Sequence, residues 1–352
     1  MITSINVLVR CDAAPAIGFG HVVRCLALAS ELRDSHGWRV AFAMVQGPLG
    51  VSQVEGQGFP VYQPLQPVAP GWGEGTWLQG LVANTAATVL VLDVRTDLTP
   101  VAVQAIRERG ILIVTIDDLS ERRLVADLTF YPPVPQVRRL DWAGFTGQLF
   151  AGWEWVVLRP EFAAVRQRYA IQQPSGTRLP RVLVTMGGSD PVGLTLQALQ
   201  SLDVLEGDFA TVVVLGAGFM HGAALESWLS SARRRYDLRY NVREMANLMA
   251  HADLAVASFG VTAYELAALG VPTIYLCLSE DHAESASALV DAGMAISLGV
   301  YGQVSADQIA RAIAGWLDDS AARLAVGERA RALVDGQGVC RIADSIALQS
   351  RF

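Results

Sequence analysis

Charge is scarce in this sequence. Of its 352 residues only 17% are charged, with 27 Lys and Arg against 34 Asp and Glu, for a net charge of -7. No basic cluster is present to meet a phosphate backbone, which argues against nucleic acid as a partner. Long apolar runs are missing too. None reaches the roughly 18 residues that cross a bilayer, although hydrophobic residues make up 52% of the chain. No transmembrane segment is therefore expected, and the apolar content is left for packed cores. Cysteine is rare, and Cys11, Cys25, Cys277 and Cys340 lack metal-type spacing. No metal is expected from them, and reduced thiols are the simplest state. The opening Met1-Ile2-Thr3-Ser4-Ile5-Asn6 has no basic stretch and no cleavage site, so a cytoplasmic protein without a signal peptide is expected.

The length exceeds the limit of about 250–300 residues at which single cores stop growing, so two domains are expected. The first half alternates strands and helices. Strands are expected at Ile5–Arg10, Trp38–Met44, Thr88–Leu92, Ile111–Ile116 and Ala126–Tyr131, with helices at Val22–Leu32 and Leu98–Arg109. Val61–Gly75 is Pro/Gly-rich and reads as a surface loop. The second half repeats the alternation from Val182–Met186 to Pro272–Leu276, then closes with helices at Glu284–Ala292, Ser305–Leu317, Ala321–Val334 and Val339–Leu348. Such alternation specifies an α/β chain with parallel, doubly wound sheets. The expected divisions are a Rossmann-like domain over 1–170, a polar linker over 171–180, a second Rossmann-like domain over 181–338 and a terminal helix over 339–352. Two such domains facing each other would place their strand ends across one cleft, the default substrate site for this layout.

Two strand-to-helix turns organise the functional expectations. The first is Ile17-Gly18-Phe19-Gly20-His21, which puts His21 at a helix start. The positive end of the helix dipole there favours the neutral imidazole, suited to act as a general base. Arg10, Asp12 and Arg24 flank this turn; Arg10 is suited either to a phosphate or to an ion pair with Asp12. The second is Val184-Thr185-Met186-Gly187-Gly188-Ser189-Asp190-Pro191. Its glycines permit a tight turn. Ser189 or Asp190 is placed to cap the next helix, with Pro191 in its first turn and backbone N–H groups free for an anion. Farther on, Gly260-Val261-Thr262 offers N–H groups to phosphate. Glu265 is placed either to accept ribose hydroxyls or to stabilise its own helix. Asp117-Asp118 suits a metal if another carboxylate joins it, or the capping of the next turn.

These motifs resemble a known family in combination. Arg10-x-Asp12, the run Ile17 to Ala29, Ile116-Asp117-Asp118-Leu119, Leu158-Arg159-Pro160-Glu161-Phe162, Val184 to Pro191, Gly260-x-Thr262-x-x-Glu265 and Asp335-Gly336-x-Gly338 occur in order. The pattern is similar to the UDP-2,4-diacetamido-2,4,6-trideoxy-β-L-altropyranose hydrolases of pseudaminic acid biosynthesis and to related spore-coat polysaccharide proteins. That resemblance implies a GT-B fold, with two Rossmann-like domains facing across a cleft. It implies a UDP-sugar substrate, no cofactor and no metal. His21 would direct water at the anomeric carbon and release UDP with inversion. Gly187, Gly188 and Ser189, with Gly260, Val261 and Thr262, would hold the diphosphate, Glu265 the ribose, and the backbone near Met245 the uracil. Arg10, Asp12, Gly18, Gly20 and Arg24 would line the sugar side. Two places depart from the family. Asp93-Val94-Arg95 stands where it has Asp-Ser-Tyr, and Glu280-Asp281-His282 where it has Glu-Asn-Gln, so Arg95, Asp281 and His282 would replace its sugar contacts. The Asp-His pair is similar to that of some GT-B glycosyltransferases, which leaves a transferase as the alternative activity. A catalytically silent nucleotide-sugar binder is a third.

Overall fold

A computed structural model describes residues 6–13, 19–66, 68, 71–169 and 178–350. The chain packs as two units, Met1–Arg159 with Gln337–Phe352, and Pro160–Gly336.

In the first unit β1 (Asn6–Cys11), α1 (Gly20–Asp34), β2 (Arg39–Ala43), α2 (Pro48–Gly56), β3 (Val61–Tyr62), α3 (Glu74–Asn84), β4 (Val89–Asp93), α4 (Pro100–Arg107), β5 (Leu112–Ile116), β6 (Leu128–Tyr131) and β7 (Gln148–Ala151) follow in order. The seven strands form one sheet, ordered β3-β2-β1-β4-β5-β6-β7, and every pairing in it is parallel. Strands covered on both faces read as continuous apolar runs rather than alternating ones, and β1 and β4 do so. Val7, Val9 and Val91 enter one core with Val22, Cys25 and Leu28 of α1. Leu8, Leu90 and Leu92 point the other way, to Leu78 of α3 and Val103 of α4. The strand order reverses between β1 and β4, and ligands of such sheets sit beyond the carboxyl ends of the strands at that switch.

The second unit runs through α5 (Pro160–Arg168), β8 (Arg181–Thr185), α6 (Leu194–Asp203), β9 (Ala210–Leu215), α7 (Gly222–Leu229), β10 (Tyr236–Tyr240), α8 (Met245–Ala250), β11 (Leu254–Ala257), α9 (Val261–Leu269), β12 (Thr273–Cys277), α10 (Glu280–Asp291), β13 (Ala295–Val300), α11 (Ala306–Asp318) and α12 (Ser320–Leu333). Its sheet is ordered β10-β9-β8-β11-β12-β13 and is again parallel throughout. Here the switch lies between β8 and β11.

The division between units differs from the one expected at 171–180. Helix α5 packs with the second unit, because two arginines tie it there. Arg166 donates to the carbonyls of Arg331 (2.8 Å) and Ala268 (3.3 Å), while Arg331 donates to the carbonyls of Arg166 (2.7 Å) and Tyr169 (2.8 Å). Residues 171–177 of the expected linker lie outside the described residues. The last helix, α13 (Gly338–Gln349), returns to the first unit and buries Val339, Ile342 and Ile346 against the α1 side of its sheet. Gly338 is the residue that permits the return, since a Cβ there would stand 2.7 Å from the Val156 carbonyl carbon.

Elements the sequence pattern did not announce are α2, β3, α3, β7, α5 and β13. Helix α3 opens at the end of the Pro/Gly-rich stretch, where Gly73 and Gly75 mask a helix that only packing sustains. Helix α7 stops at Leu229, five residues short of Arg234, where a helix over Ala223–Arg234 is expected from the sequence. Arg234 instead donates to the carbonyl of Gly207 at 2.8 Å.

Candidate functional site

In the first unit the chemistry gathers beyond β1, β4 and β5. Gly20 opens α1 and His21 is its second residue; Gly18 lies outside the described residues. His21 Nδ1 stands 2.6 Å from Asp93 Oδ1. Asp93 closes β4, in register with Cys11 on β1, and is 1% exposed. Arg24, three residues after His21 on the same helix face, donates from Nε and Nη2 to the two Asp93 oxygens at 2.5 and 2.6 Å. Its Nη1 donates to Asp117 Oδ2 at 3.0 Å.

The electrostatics of this group fix the tautomer. Burial pushes the Asp93 carboxyl up, but the Arg24 guanidinium and His21 pull it further down, well below the usual carboxylate range. Burial opposes the charge of Arg24, and Asp93 and Asp117 more than compensate, so it stays protonated. An ionised Asp93 only accepts, so Nδ1 of His21 carries a proton toward it, and the tautomer of the neutral ring that fits this bond has Nε2 as its acceptor. Asp117 follows β5 with φ +53, a left-handed conformation uncommon for a non-glycine residue. Arg95 is 48% exposed with its Nη2 4.0 Å from Asp117 Oδ2.

Asp93 is the partner of His21 that the sequence did not put forward as a candidate. A signal was present: an aspartate closing a buried apolar strand, as Asp117 does directly after β5. Cys25 Sγ lies 3.4 Å from Asp93 Oδ2, but burial pushes the thiol well up, which makes it a packing residue rather than a nucleophile.

Of the two roles open to Arg10, the structure shows the ion pair with Asp12, and the placing of both on the sugar side is corrected. They form a buried ion pair, Arg10 Nη2 to Asp12 Oδ2 at 2.7 Å, rather than contacts open to a phosphate. Arg10 is 0% exposed, and its Nε donates to Glu74 Oε1 at 2.8 Å. The other Asp12 oxygen accepts the N–H groups of Val45 (2.7 Å) and Gln46 (3.0 Å). The pair therefore fixes the loops after β1 and β2. Asp118 is likewise used internally, accepting the Ser120 N–H at 2.9 Å and Arg122 Nε at 2.8 Å. Arg122 then clamps the segment that carries Arg95, donating to the carbonyls of Val94 (2.8 Å) and Thr96 (2.7 Å).

In the second unit the parallel strands place all the expected nucleotide residues along one sheet edge. Gly187 follows β8 with φ +75, and a Cβ there would lie 3.7 Å from Ser258 Oγ, which follows β11. Gly188 accepts the Gly218 N–H at 2.9 Å, so the turn after β8 leans on the turn after β9. Asp190, one of the two residues expected to cap the next helix, does so, but the helix starts later than expected. Helix α6 begins at Leu194, after Gly193, not at Pro191. Asp190, 2% exposed at φ +44, accepts the N–H groups of Leu194 (2.8 Å) and Thr195 (2.9 Å). Those two donors are occupied, so an anion at this switch is left with the 187–189 turn and the start of α9. No side chain caps α9, which begins Val261-Thr262 directly after Gly260.

Glu265 is 4% exposed on α9, and Met245 opens α8 beyond β10. His282 lies in the first turn of α10 with Asp281, its ring 6.1 Å from that of Phe259, next to the 260–262 turn. Thus Gly187, Ser189, Gly260, Thr262 and His282 sit at neighbouring strand ends. Arg10 and Asp12 are behind the first unit's surface rather than on it.

No protein-family profile matches the chain. Among curated proteins it is 27% identical over 197 residues to the spore coat polysaccharide biosynthesis protein SpsG of Bacillus subtilis, which covers 55% of this chain and 57% of SpsG. The chain thus spans a little over half the length of that relative. Among solved structures it is similar to Acinetobacter baumannii MurG, with TM-score 0.70, 16% identity and coverage of 97% of this chain and 99% of MurG. It is also similar to S. aureus MnaA, solved with UDP, with TM-score 0.69, 13% identity and coverage of 97% and 96%. The two parallel sheets with their helices have the architecture of the GT-B fold.

Proposed function

We propose that this chain is an enzyme acting on a UDP-activated sugar, and that it hydrolyses a UDP-2,4-diacetamido-trideoxy sugar at its anomeric carbon. The observation that carries the reading is the His21–Asp93 pair: a histidine at a helix start, held through Nδ1 by an ionised aspartate 2.6 Å away. Nε2 takes the proton of a water whose oxygen bonds to the anomeric carbon. The bond from that carbon to the UDP oxygen breaks, and UDP leaves from the opposite face with inversion. Asp93 stabilises the imidazolium that forms, and Arg24 keeps Asp93 in place and ionised.

Within the second unit, backbone N–H groups of the 187–189 turn and the start of α9, where the dipole favours negative charge, are assigned to a diphosphate. Glu265 is assigned to the ribose and the backbone near Met245 to the uracil. The likeness to SpsG, a polysaccharide biosynthesis protein by its name, and the shared architecture with a protein solved with UDP support the substrate class.

A glycosyltransferase is the second reading, because the same Nε2 would deprotonate a hydroxyl as readily as water. The Asp281-His282 pair beside the 260–262 turn favours it. One assay separates the two. The protein is incubated with UDP-2,4-diacetamido sugars, with and without sugar acceptors, and UDP release is followed. Release without acceptor that disappears in His21→Ala supports the hydrolase. Release only with acceptor establishes the transferase instead, and UDP binding without turnover of any donor sinks both.

A further inference from the structure

The sheet of the second unit ends at β10, an edge strand paired with β9 alone among the described residues. Its sequence is Tyr236-Asp237-Leu238-Arg239-Tyr240. The two faces of this strand are covered unequally. Tyr236 and Leu238 pack on the side of α6 and α7, where Tyr236 Oη donates to Asp203 Oδ1 at 3.1 Å. Asp237 and Arg239 point the other way. There α8 is only six residues long, and a groove of about 780 Å³ stays open, lined among others by Val212, Asp237, Arg239, Glu244 and His251. Both charged side chains are about half exposed, and they pair with each other at 2.8 Å.

One side of the β10 backbone faces away from the sheet. The Asn241 N–H donates to the Leu215 carbonyl of β9 at 3.1 Å. Backbone groups alternate in direction along a strand. Those of Arg239 and Asp237 therefore also turn to β9, and those of Tyr236, Leu238 and Tyr240 turn outward. An edge with open N–H and C=O groups is a template for another strand. Guarding such an edge against a second copy takes charges of one sign, because only those repel. Asp237 and Arg239 have opposite signs and flank Leu238 symmetrically.

Antiparallel pairing about a two-fold axis at Leu238 sets Asp237 opposite the partner's Arg239, and Arg239 opposite the partner's Asp237. Tyr236 then faces the partner's Tyr240, and Tyr240 is 59% exposed in the single chain. The register also suits the backbone. The outward groups at Tyr236, Leu238 and Tyr240 make the hydrogen-bonded pairs. The charged residues fall at the non-hydrogen-bonded positions between them, where opposed side chains lie closest. The strand is complementary to itself in charge and in backbone, which is what an isologous contact requires. We propose that β10 pairs antiparallel with β10 of a second copy, joining two six-stranded sheets across a two-fold axis. The pairing uses five residues a side, so the dimer is weak and reversible. It stands independently of the substrate and of the His21 chemistry.

Sedimentation equilibrium of the full chain between about 1 μM and about 1 mM spans such weak association. The unaltered protein should shift from monomer to dimer. Asp237→Arg and Arg239→Asp each put like charges opposite each other and should weaken the dimer about tenfold or more. An equimolar mixture of the two variants should associate again, since every charged cross-strand pair is then Arg against Asp. That recovery does not come from the pair within one strand, which both variants have lost. Leu238→Pro removes an outward N–H and no bond to β9, and should leave a monomer. Circular dichroism and melting temperature check that each variant folds, and the charge variants, on an exposed strand, carry the test if the proline variant does not. A monomer of the unaltered protein at every concentration overturns the proposal. So does a dimer that both charge reversals leave intact, and so does a mixture of folded variants that stays monomeric.

Discussion

His21 and Asp93 are 72 residues apart in the chain and 2.6 Å apart in space, and the second oxygen of the same carboxylate is held by Arg24. One aspartate thus orients the His21 ring and is itself fixed by a cation three residues beyond that histidine. The arrangement depends on β1 and β4 being neighbours, which places Cys11 beside Asp93 and the start of α1 over the end of β4.

His21→Ala should lower the rate of UDP release by about 10²- to 10⁴-fold, the usual contribution of a positioned general base. UDP affinity should stay within about twofold, because the nucleotide residues belong to the other unit. Calorimetric titration with UDP beside a steady-state assay checks both. An equal loss of affinity and rate would show that His21 is a structural residue.

Asp93→Asn should lower the rate by about 10²-fold or more and should also destabilise the protein by about 2–3 kcal/mol near neutral pH, since it leaves Arg24 underpaired. The sign of the pH effect follows from the depressed carboxyl. Its stabilisation is present above the unfolded value of about 3.9 and is lost as pH falls through the folded one. Denaturant midpoints of the two proteins should therefore differ most above about pH 4 and converge below it.

Asp190→Ala removes the acceptor of two N–H groups and leaves a Cβ-bearing residue at φ +44. A cost of about 2 kcal/mol is expected, half from the lost cap and half from the left-handed backbone. Asp190→Asn, which tolerates that backbone and keeps one of the two acceptors, should recover about three quarters. Thermal unfolding of the two variants decides this; equal melting points would rule the cap out.

Gly216→Ala should weaken UDP binding without touching a predicted contact. A Cβ at Gly216 would stand 2.6 Å from Gly188 Cα, so the 187–189 turn must move. At least a tenfold loss of UDP affinity is expected, measured by titration, with His21 chemistry on bound substrate little changed. Full affinity in this variant would remove the turn from the nucleotide site.

Much of the site was legible because turn chemistry is local. Gly20-His21 after an apolar strand, and Gly187-Gly188 after another, state their positions at strand ends without reference to the rest of the chain. Glu74 was illegible for the opposite reason. It sits among Gly71, Trp72, Gly73 and Gly75, a composition that reads as loop, and only packing on α4 makes that stretch a helix start. Arg10 was legible as one of two alternatives, ligand contact or ion pair with Asp12, and only what lies beside the strand end chose the ion pair.

The sequence by itself determined that this is an α/β chain of parallel strands, because β-branched runs spaced by helical periods admit little else. It also determined where the two glycine-containing strand-to-helix turns lie. Tertiary structure alone decided that α5 and α13 exchange the units the chain order suggests, through the Arg166–Arg331 bonds and the burial of Val339, Ile342 and Ile346. It alone chose Asp93 as the partner of His21 and turned Arg10 and Asp12 inward. Those choices depend on which strand lies beside which, and strand order is set by the global packing of both sheet faces rather than by any local run of residues.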